Sequence, residues 1–218
     1  MKILAFEFST SQRSVAALSL DPVSGLRSAE VVESLDSDAG PLAMAETALQ
    51  QAGLEREQIE CVAVGLGPGS YTGIRSAIAL AQGWHLASKV RLMGVSSVAC
   101  LIAEALDQGI QGRVTVVIDA QRNEFYLANY ELAAGSAREL QPLRLATPQE
   151  ANACATAGEL LIGPEVTKWF PDGRTVMPRA CHLAQLALKH PDSVAPSDLE
   201  PIYLRATAFV KAPPARVL

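Results

Sequence analysis

The chain has 218 residues, of which 49% are hydrophobic and 19% are charged, a composition typical of a folded globular protein and unlike that of a disordered one. Its formal net charge of -5 and isoelectric point near 5.3 exclude a generally cationic surface of the kind that attracts nucleic acid phosphates. Glu7 interrupts the first apolar run, and no apolar stretch approaches the roughly 20 residues of a membrane span. We therefore expect a cytoplasmic protein.

Cysteine and histidine do not occur in the spacings that bind metals. The four cysteines lie far apart with no CxxC pair, so we predict buried thiols and no zinc ribbon or disulfide framework. The three histidines, His85, His182 and His190, form no HExxH motif, and we expect each of them on a helix surface. The sequence predicts no bound metal and no cofactor.

The first half of the chain predicts a mixed sheet with helices. Gly53 and Pro41 bound one helix, for which Asp38 is a candidate cap, and Pro22 and Gly25 separate two of the strands. In chain order we predict strands over 2–8, 14–20 and 26–34, a helix over 41–52, a strand over 61–64, a helix over 73–88, a strand over 91–95 and a helix over 97–107. The opening three-strand meander distinguishes this order from the strict alternation of a Rossmann domain.

The second half shows a weaker pattern of the same kind. A hairpin is predicted over 113–130 with its turn at 120–123, and Pro148 begins a helix. Further strands are predicted over 140–145 and 159–162, a helix over 181–189, and a loose tail over 211–216. We predict an N-terminal lobe over 1–110, which contains the glycine loop and the partner helices, and a smaller C-terminal lobe with the tail over 111–218.

A glycine-rich loop lies between a buried strand and the start of a helix, a position where free N–H groups and the helix dipole favour anions. It does not fit the known phosphate motifs, because a dinucleotide fingerprint would need glycine at Ser70 and a P-loop would need a lysine. An anion or partner-loop role remains one alternative. The other is a tight turn in which Ser70 or Thr72 caps the helix. The candidate residues are Gly67, Gly69, Ser70, Thr72, Gly73 and Arg75.

The helices over 41–52 and 73–88 lack the polar outer stripe that a surface helix of a small lobe normally carries. Glu46 is the only formal charge in the first, and Arg75 is the only one in the second. This pattern predicts a helix-to-helix protein interface, although the second lobe could instead cover these helices. The predicted partner-binding residues are Leu42, Ala45, Leu49, Ile74, Ala77, Ile78, Ala81 and Trp84.

Catalytic groups are not evident. Glu7 and Asp119 stand near predicted strand ends, but Phe8 follows Glu7 where a phosphate would need close backbone approach. Glu7 is equally explained as a strand-end carboxylate bonded to a neighbouring loop. We predict no catalytic residue.

Five segments together resemble the TsaB (YeaZ) family in the same order and spacing: residues 3–10, 67–75, 94–97, 119–126 and 201–205. The resemblance implies a two-lobed α/β fold of the actin-like ATPase class (ASKHA, ribonuclease H-like) with mixed sheets. It also implies a non-catalytic adaptor that forms a homodimer alone, pairs with the catalytic paralogue TsaD, recruits the ATPase TsaE and meets tRNA only through that complex. The assembly installs N6-threonylcarbamoyladenosine in tRNA.

The chain departs from this family and its relatives at three places. TsaD-like sequences carry two metal-binding histidines where this chain has Ser97 and Leu101, the usual Asp-Thr-Ser is Glu7-Phe8-Ser9, and no histidine occurs in 36–40. Two alternative functions stay open at this point. One is a small actin-like nucleotide-binding kinase or acyl-transfer enzyme, and the other is a direct tRNA-binding module, which the net charge disfavours.

Overall fold

The computed structural model describes residues 1–23, 25–34, 40–189 and 198–205. Short 3₁₀ helices occur at Arg56–Gln58 and Val166–Lys168. The other elements are β1 (Lys2–Glu7), β2 (Gln12–Asp21), β3 (Gly25–Ser34), α1 (Pro41–Ala52), β4 (Cys61–Gly65), α2 (Tyr71–Ser88), β5 (Arg91–Val95), α3 (Ser97–Asp107), β6 (Gly112–Asp119), β7 (Phe125–Ala133), β8 (Ser136–Ala146), α4 (Pro148–Thr156), β9 (Leu160–Gly163), β10 (Arg174–Thr175) and α5 (Ala180–Lys189).

The predicted elements correspond closely to the observed ones. The bounds predicted for α1, β5 and α3 are the observed bounds, because proline, glycine and serine mark their ends. Strand β7, the second strand of the predicted hairpin, continues to Ala133, and β8 is longer than the predicted 140–145. The two-residue strand β10 was not predicted. The candidate cap Asp38, His190 and the tail over 211–216 lie outside the described residues.

Two five-stranded sheets repeat one topology. The first has the order β3-β2-β1-β4-β5 and the second the order β10-β9-β6-β7-β8. In each, three antiparallel strands are followed by two parallel ones that the chain reaches through helices. The predicted α/β fold with mixed sheets is confirmed.

Strand β1 shows how the first sheet is covered on both faces. Leu4 and Phe6 point to a core shared with α1 and α2, while Ile3 and Ala5 point to a core shared with α5. A strand buried on both faces reads as a continuous apolar run, which is the pattern of this segment.

One helix from each half of the chain packs on the sheet formed by the other half. Helix α3 follows the last strand of the first sheet but packs on the second, where Val98 and Ile102 join Val114 and Val116. Helix α5 follows the second sheet and packs on the first. Both helices therefore lie between the sheets, with α1 and α2 outermost on one side and α4 outermost on the other. The division at residue 110 stays a prediction, since core contacts cross it in both directions.

A network of polar and charged side chains connects these two helices. His182 on α5 is 4% exposed, and its Nε2 lies 2.9 Å from Glu104 Oε2 on α3. Arg179 bridges Glu104 and Glu30 on β3. The prediction of a helix-surface histidine was wrong for His182, because the face of α5 that looked exposed is covered by a helix from the other half of the chain.

The thiols are only partly as predicted. Cys61 and Cys100 are buried, whereas Cys154 and Cys181 are half-buried, and all four are free. Burial raises the pKa of the Cys61 thiol to about 11 and that of Cys181 to about 12. Such thiols are weakly nucleophilic at neutral pH.

Candidate functional site

A cleft of about 930 Å³ lies between the strand-end turns of the two sheets. Its walls come from the turns that follow β1, β4, β6 and β9, because the parallel pairs β1/β4 and β6/β9 end on the same side of the molecule. The turn after β1 contributes Ser9, Thr10 and Ser11. Asp119 at the end of β6 and Arg122 in the turn that follows it lie on the other wall. Clefts at such strand ends are common ligand sites in α/β proteins.

Glu7, at the end of β1, connects three segments of the chain next to this cleft. The side chain is 1% exposed and accepts hydrogen bonds from Ser9 N at 2.9 Å and Ser97 Oγ at 2.8 Å. Ser97 Oγ in turn accepts from Gly67 N at 3.1 Å. The carboxylate thus joins β1, the glycine loop and α3. This arrangement confirms the alternative in which Glu7 is bonded to a neighbouring loop.

Burial raises the pKa of the Glu7 carboxyl above its ordinary value of 4.5, against the opposing effect of the hydrogen bonds from Ser9 and Ser97. The folded state therefore holds this proton more tightly than the unfolded chain, so stability is lost as pH rises from the ordinary pKa through the raised one. As pH rises over this range, we expect the melting temperature of the wild-type chain to fall relative to that of the Glu7→Gln variant. Thermal melts of both proteins at a series of pH values measure this change. A difference in melting temperature that does not vary with pH would contradict the raised pKa of Glu7.

The glycine loop packs against the turn after β1. Ser70 N donates to the carbonyl oxygen of Ser9 at 2.7 Å, and Ser70 Oγ accepts from Gly73 N at 3.2 Å as the cap of α2. A Cβ on Gly69 would lie 2.1 Å from Ser9 O, and a Cβ on Gly73 would lie 2.0 Å from the carbonyl oxygen of Phe8. Glycine is required at both positions because the neighbouring backbone lies too close for a side chain. Ser70 caps the helix, as the tight-turn alternative predicts.

The remaining predicted loop residues lie around this contact. Gly67 has a positive φ of 84°, which favours glycine, and Thr72 and Arg75 are exposed on the first turns of α2. Arg75 Nη1 donates to the hydroxyl of Tyr71 at 3.1 Å, and that ring stacks on Tyr203 with centroids 5.8 Å apart. The two tyrosines were not predicted as site residues. Only their presence in segments that resemble a family could have indicated them.

The predicted partner-binding residues divide into two groups. Leu42 is 57% exposed and Trp84 is partly buried at the edge of the core. The other six are at most 7% exposed and form the core between the helices and the first sheet: Ala45, Leu49, Ile74, Ala77, Ile78 and Ala81. The apolar periodicity of both helices thus reports the side that packs on their own sheet. These six residues are covered by the first sheet, not by a partner and not by the second half of the chain.

The outward faces of α1 and α2 are nevertheless low in charge. Glu46 on α1 pairs with Arg56, and Arg75 contacts Tyr71. The other exposed positions are uncharged and mostly small: Leu42, Ala43, Thr47, Gln50 and Gln51 on α1, and Thr72, Ser76, Ala79, Gly83, Leu86, Ala87 and Ser88 on α2. We call this the outer helix face. No element of the described chain covers it.

Within the described residues, no group of three or more His, Cys, Asp or Glu side chains is arranged to hold a metal ion. Ser97 and Leu101 are 1% and 0% exposed, and Ser97 is bonded to Glu7. Among the described helices, none has the length and apolar character needed to cross a bilayer.

Residues 41–188 match the family model for TsaD, tRNA N6-adenosine threonylcarbamoyltransferase. The chain is 36% identical over 90 residues to the Escherichia coli tRNA threonylcarbamoyladenosine biosynthesis protein TsaB, a match that spans 41% of this chain and 39% of that protein. It is 26% identical over 196 residues to the Haemophilus influenzae protein of the same name, which covers 80% of this chain and 82% of the relative.

Two solved structures are similar to this chain over nearly its whole length. A Pseudomonas aeruginosa protein described as similar to peptidase YEAZ superposes with a TM-score of 0.77 and 28% identity, covering 94% of this chain and 99% of the other. YeaZ from Pseudomonas aeruginosa superposes with a TM-score of 0.76 and 26% identity, covering 93% and 99%. Over nearly its whole length the chain therefore has the fold of YeaZ. The chain therefore belongs to the TsaD family that the model defines and, within it, to the TsaB (YeaZ) family.

Proposed function

We propose that the chain is a non-catalytic subunit in the biosynthesis of N6-threonylcarbamoyladenosine in tRNA, which acts by pairing with a TsaD-type catalytic subunit and recruiting the ATPase TsaE. The outer helix face is the observation that carries the pairing. A low-charge face of small side chains lets two helical layers approach closely with little desolvation of charge.

Gly83 supports this assignment. It lies inside the 18-residue helix α2, is exposed, and has nothing within 4 Å of the place where a Cβ would be. Glycine at such a position costs about 0.5–1 kcal/mol relative to alanine. Nothing within the described chain requires glycine there, whereas close approach of a partner helix would.

The match to a TsaD model supports the choice of partner. Two chains that share a fold also share the position of their outermost helices. A pseudo-symmetric pair can then form through related faces, as a homodimer forms through identical ones. The same geometry accounts for a homodimer of the isolated chain. In both assemblies, tRNA would be bound by the complex, since the lone chain carries a net charge of -5.

The function is tested by complementation of a bacterial strain depleted of its own TsaB. We expect this chain, expressed together with the TsaD paralogue from its own genome, to restore threonylcarbamoyladenosine, measured by mass spectrometry of digested tRNA. Each protein expressed alone is the control. If the chain and its paralogue together leave the modification as low as in the depleted strain that carries neither, the subunit role is contradicted.

A further inference from the structure

Strand β3 is an edge of the first sheet, and no strand of the described chain pairs with its outer side. It has ten residues without proline, and its pairing with β2 runs in unbroken register from Gln12 opposite Ser34 to Asp21 opposite Gly25. Two other edge strands are short, since β5 has five residues and β10 has two. A long, regular edge presents a row of N–H and C=O groups to which another strand can add.

Strand β8, the edge of the second sheet, has the features that normally prevent such addition. Pro142 lies within it, and its register with β7 shifts on both sides of Asn129. Its charged side chains are used within the chain, as Arg138 is in its ion pair with Glu131. Proline, irregular register and committed charges all protect an edge. Of the two long edges in the described sheets, β3 is therefore the open one.

The side chains of β3 alternate between the two faces of the sheet. Ala29 and Val31 pack against the core that includes α1, so the odd-numbered positions, among them Arg27 and Glu33, lie on that face. Neither Arg27 nor Glu33 forms an ion pair within the part of the chain that the structure describes. One positive and one negative charge thus flank a short apolar row.

The even-numbered positions of β3 lie on the face covered by α5. Glu30, in the middle of this row, is held by its ion pair with Arg179. Leu26 and Val32, towards the two ends, are 53% and 40% exposed. If two copies of β3 paired antiparallel about Ala29, Leu26 of each copy would lie directly opposite Val32 of the other.

We propose that the outer edge of β3 pairs with β3 of a second copy of this chain, antiparallel and with the two-fold axis at Ala29, so that the two first sheets join into one. In this register Leu26 packs on Val32 of the second copy, and Arg27 is the diagonal neighbour of Glu33 of the second copy. Each contact occurs twice by symmetry. The strand is thus complementary to itself in charge and in apolar surface. This contact is separate from the outer helix face and does not depend on the subunit role.

The test is sedimentation velocity of the full chain over a range of concentrations, with Gly83→Glu present to remove the outer helix face as a route to a dimer. We expect the Gly83→Glu chain still to dimerise. Adding Arg27→Glu should weaken this dimer at least about tenfold, because two opposite-charge contacts become two like-charge ones. Adding Glu33→Arg as well should restore the affinity to within about threefold, since both contacts are re-formed with the charges exchanged.

Arg138→Glu in the same Gly83→Glu chain is the matched control, because it makes the same charge reversal on the edge strand β8. We expect it to leave the dimer unchanged, and thermal melts of all variants check that each chain is folded. Three results would overturn the proposal: a Gly83→Glu chain that is monomeric at every concentration, a loss for Arg27→Glu no larger than for Arg138→Glu, and a charge-exchanged variant that stays as weak as Arg27→Glu. None of them bears on pairing with the TsaD paralogue.

Discussion

Gly73→Ala is expected to lower the free energy of unfolding by about 3 kcal/mol, the upper part of the range for overpacked sites. The added Cβ would lie 2.0 Å from the carbonyl oxygen of Phe8, a backbone atom at the end of β1 that cannot turn away as a side chain could. Relief requires α2 to move from the first sheet, and the bond between Ser70 N and Ser9 O would be strained with it. Urea denaturation followed by circular dichroism measures the change.

Gly83→Ala is the matched control, since the same substitution is made in the same helix. Because Gly83 is exposed and has open space at its Cβ position, we expect alanine there to raise the free energy of unfolding by about 0.5–1 kcal/mol. Opposite signs for the two variants are the expected result. If both destabilise the chain equally, the close contact between α2 and β1 does not exist as described.

Gly83→Glu and Ala79→Glu are expected to abolish pairing with the TsaD paralogue, with an affinity loss of at least about a hundredfold. Both positions are exposed on the outer helix face, so the isolated chain can carry the carboxylate in water. In a close helix-to-helix interface the same carboxylate is buried without a partner, which costs about 3–5 kcal/mol. Calorimetry with the purified paralogue measures the loss, and thermal melts show that the fold is kept.

Ala155→Glu on α4 provides the control for this prediction. It also places a carboxylate at an exposed alanine of an outermost helix, but on the opposite side of the molecule. We expect it to pair normally. If the α2 variants pair as tightly as Ala155→Glu, the partner does not bind the outer helix face. Light scattering on the same proteins reports whether the homodimer uses that face too.

Ala81 shows why the structure changes the choice of variant. The apolar stripe of α2 predicts it as a partner-binding residue, but it is 0% exposed and packs in the core of the first sheet. A glutamate there would bring a charge into the monomer core and test folding instead of pairing. The pairing test therefore uses the exposed neighbours Ala79 and Gly83, because substituting them leaves the core intact.

Most helices and strands of this protein, and its resemblance to a family, could be predicted from local sequence. Local signals mark most boundaries, such as Pro41 and Gly53 around α1 and Ser96 before α3, because caps and breakers act through nearby backbone groups. The opening three-strand meander indicated a mixed sheet, and the motifs around 67–75 and 119–126 indicated the TsaB resemblance.

Which side of each helix is covered, and by which element, could not be predicted in this way, because it depends on how the elements pack. Periodicity reports that a face is apolar, but the face of α2 bearing Ala77 and Ala81 packs on its own sheet, and His182 is buried by a helix from the other half of the chain. The cleft is decided in the same way, since Tyr71 and Tyr203 are 132 residues apart in the chain and meet only because the segment after α5 returns across the glycine loop. Contacts between distant segments depend on how the layers stack, and no local pattern encodes that arrangement.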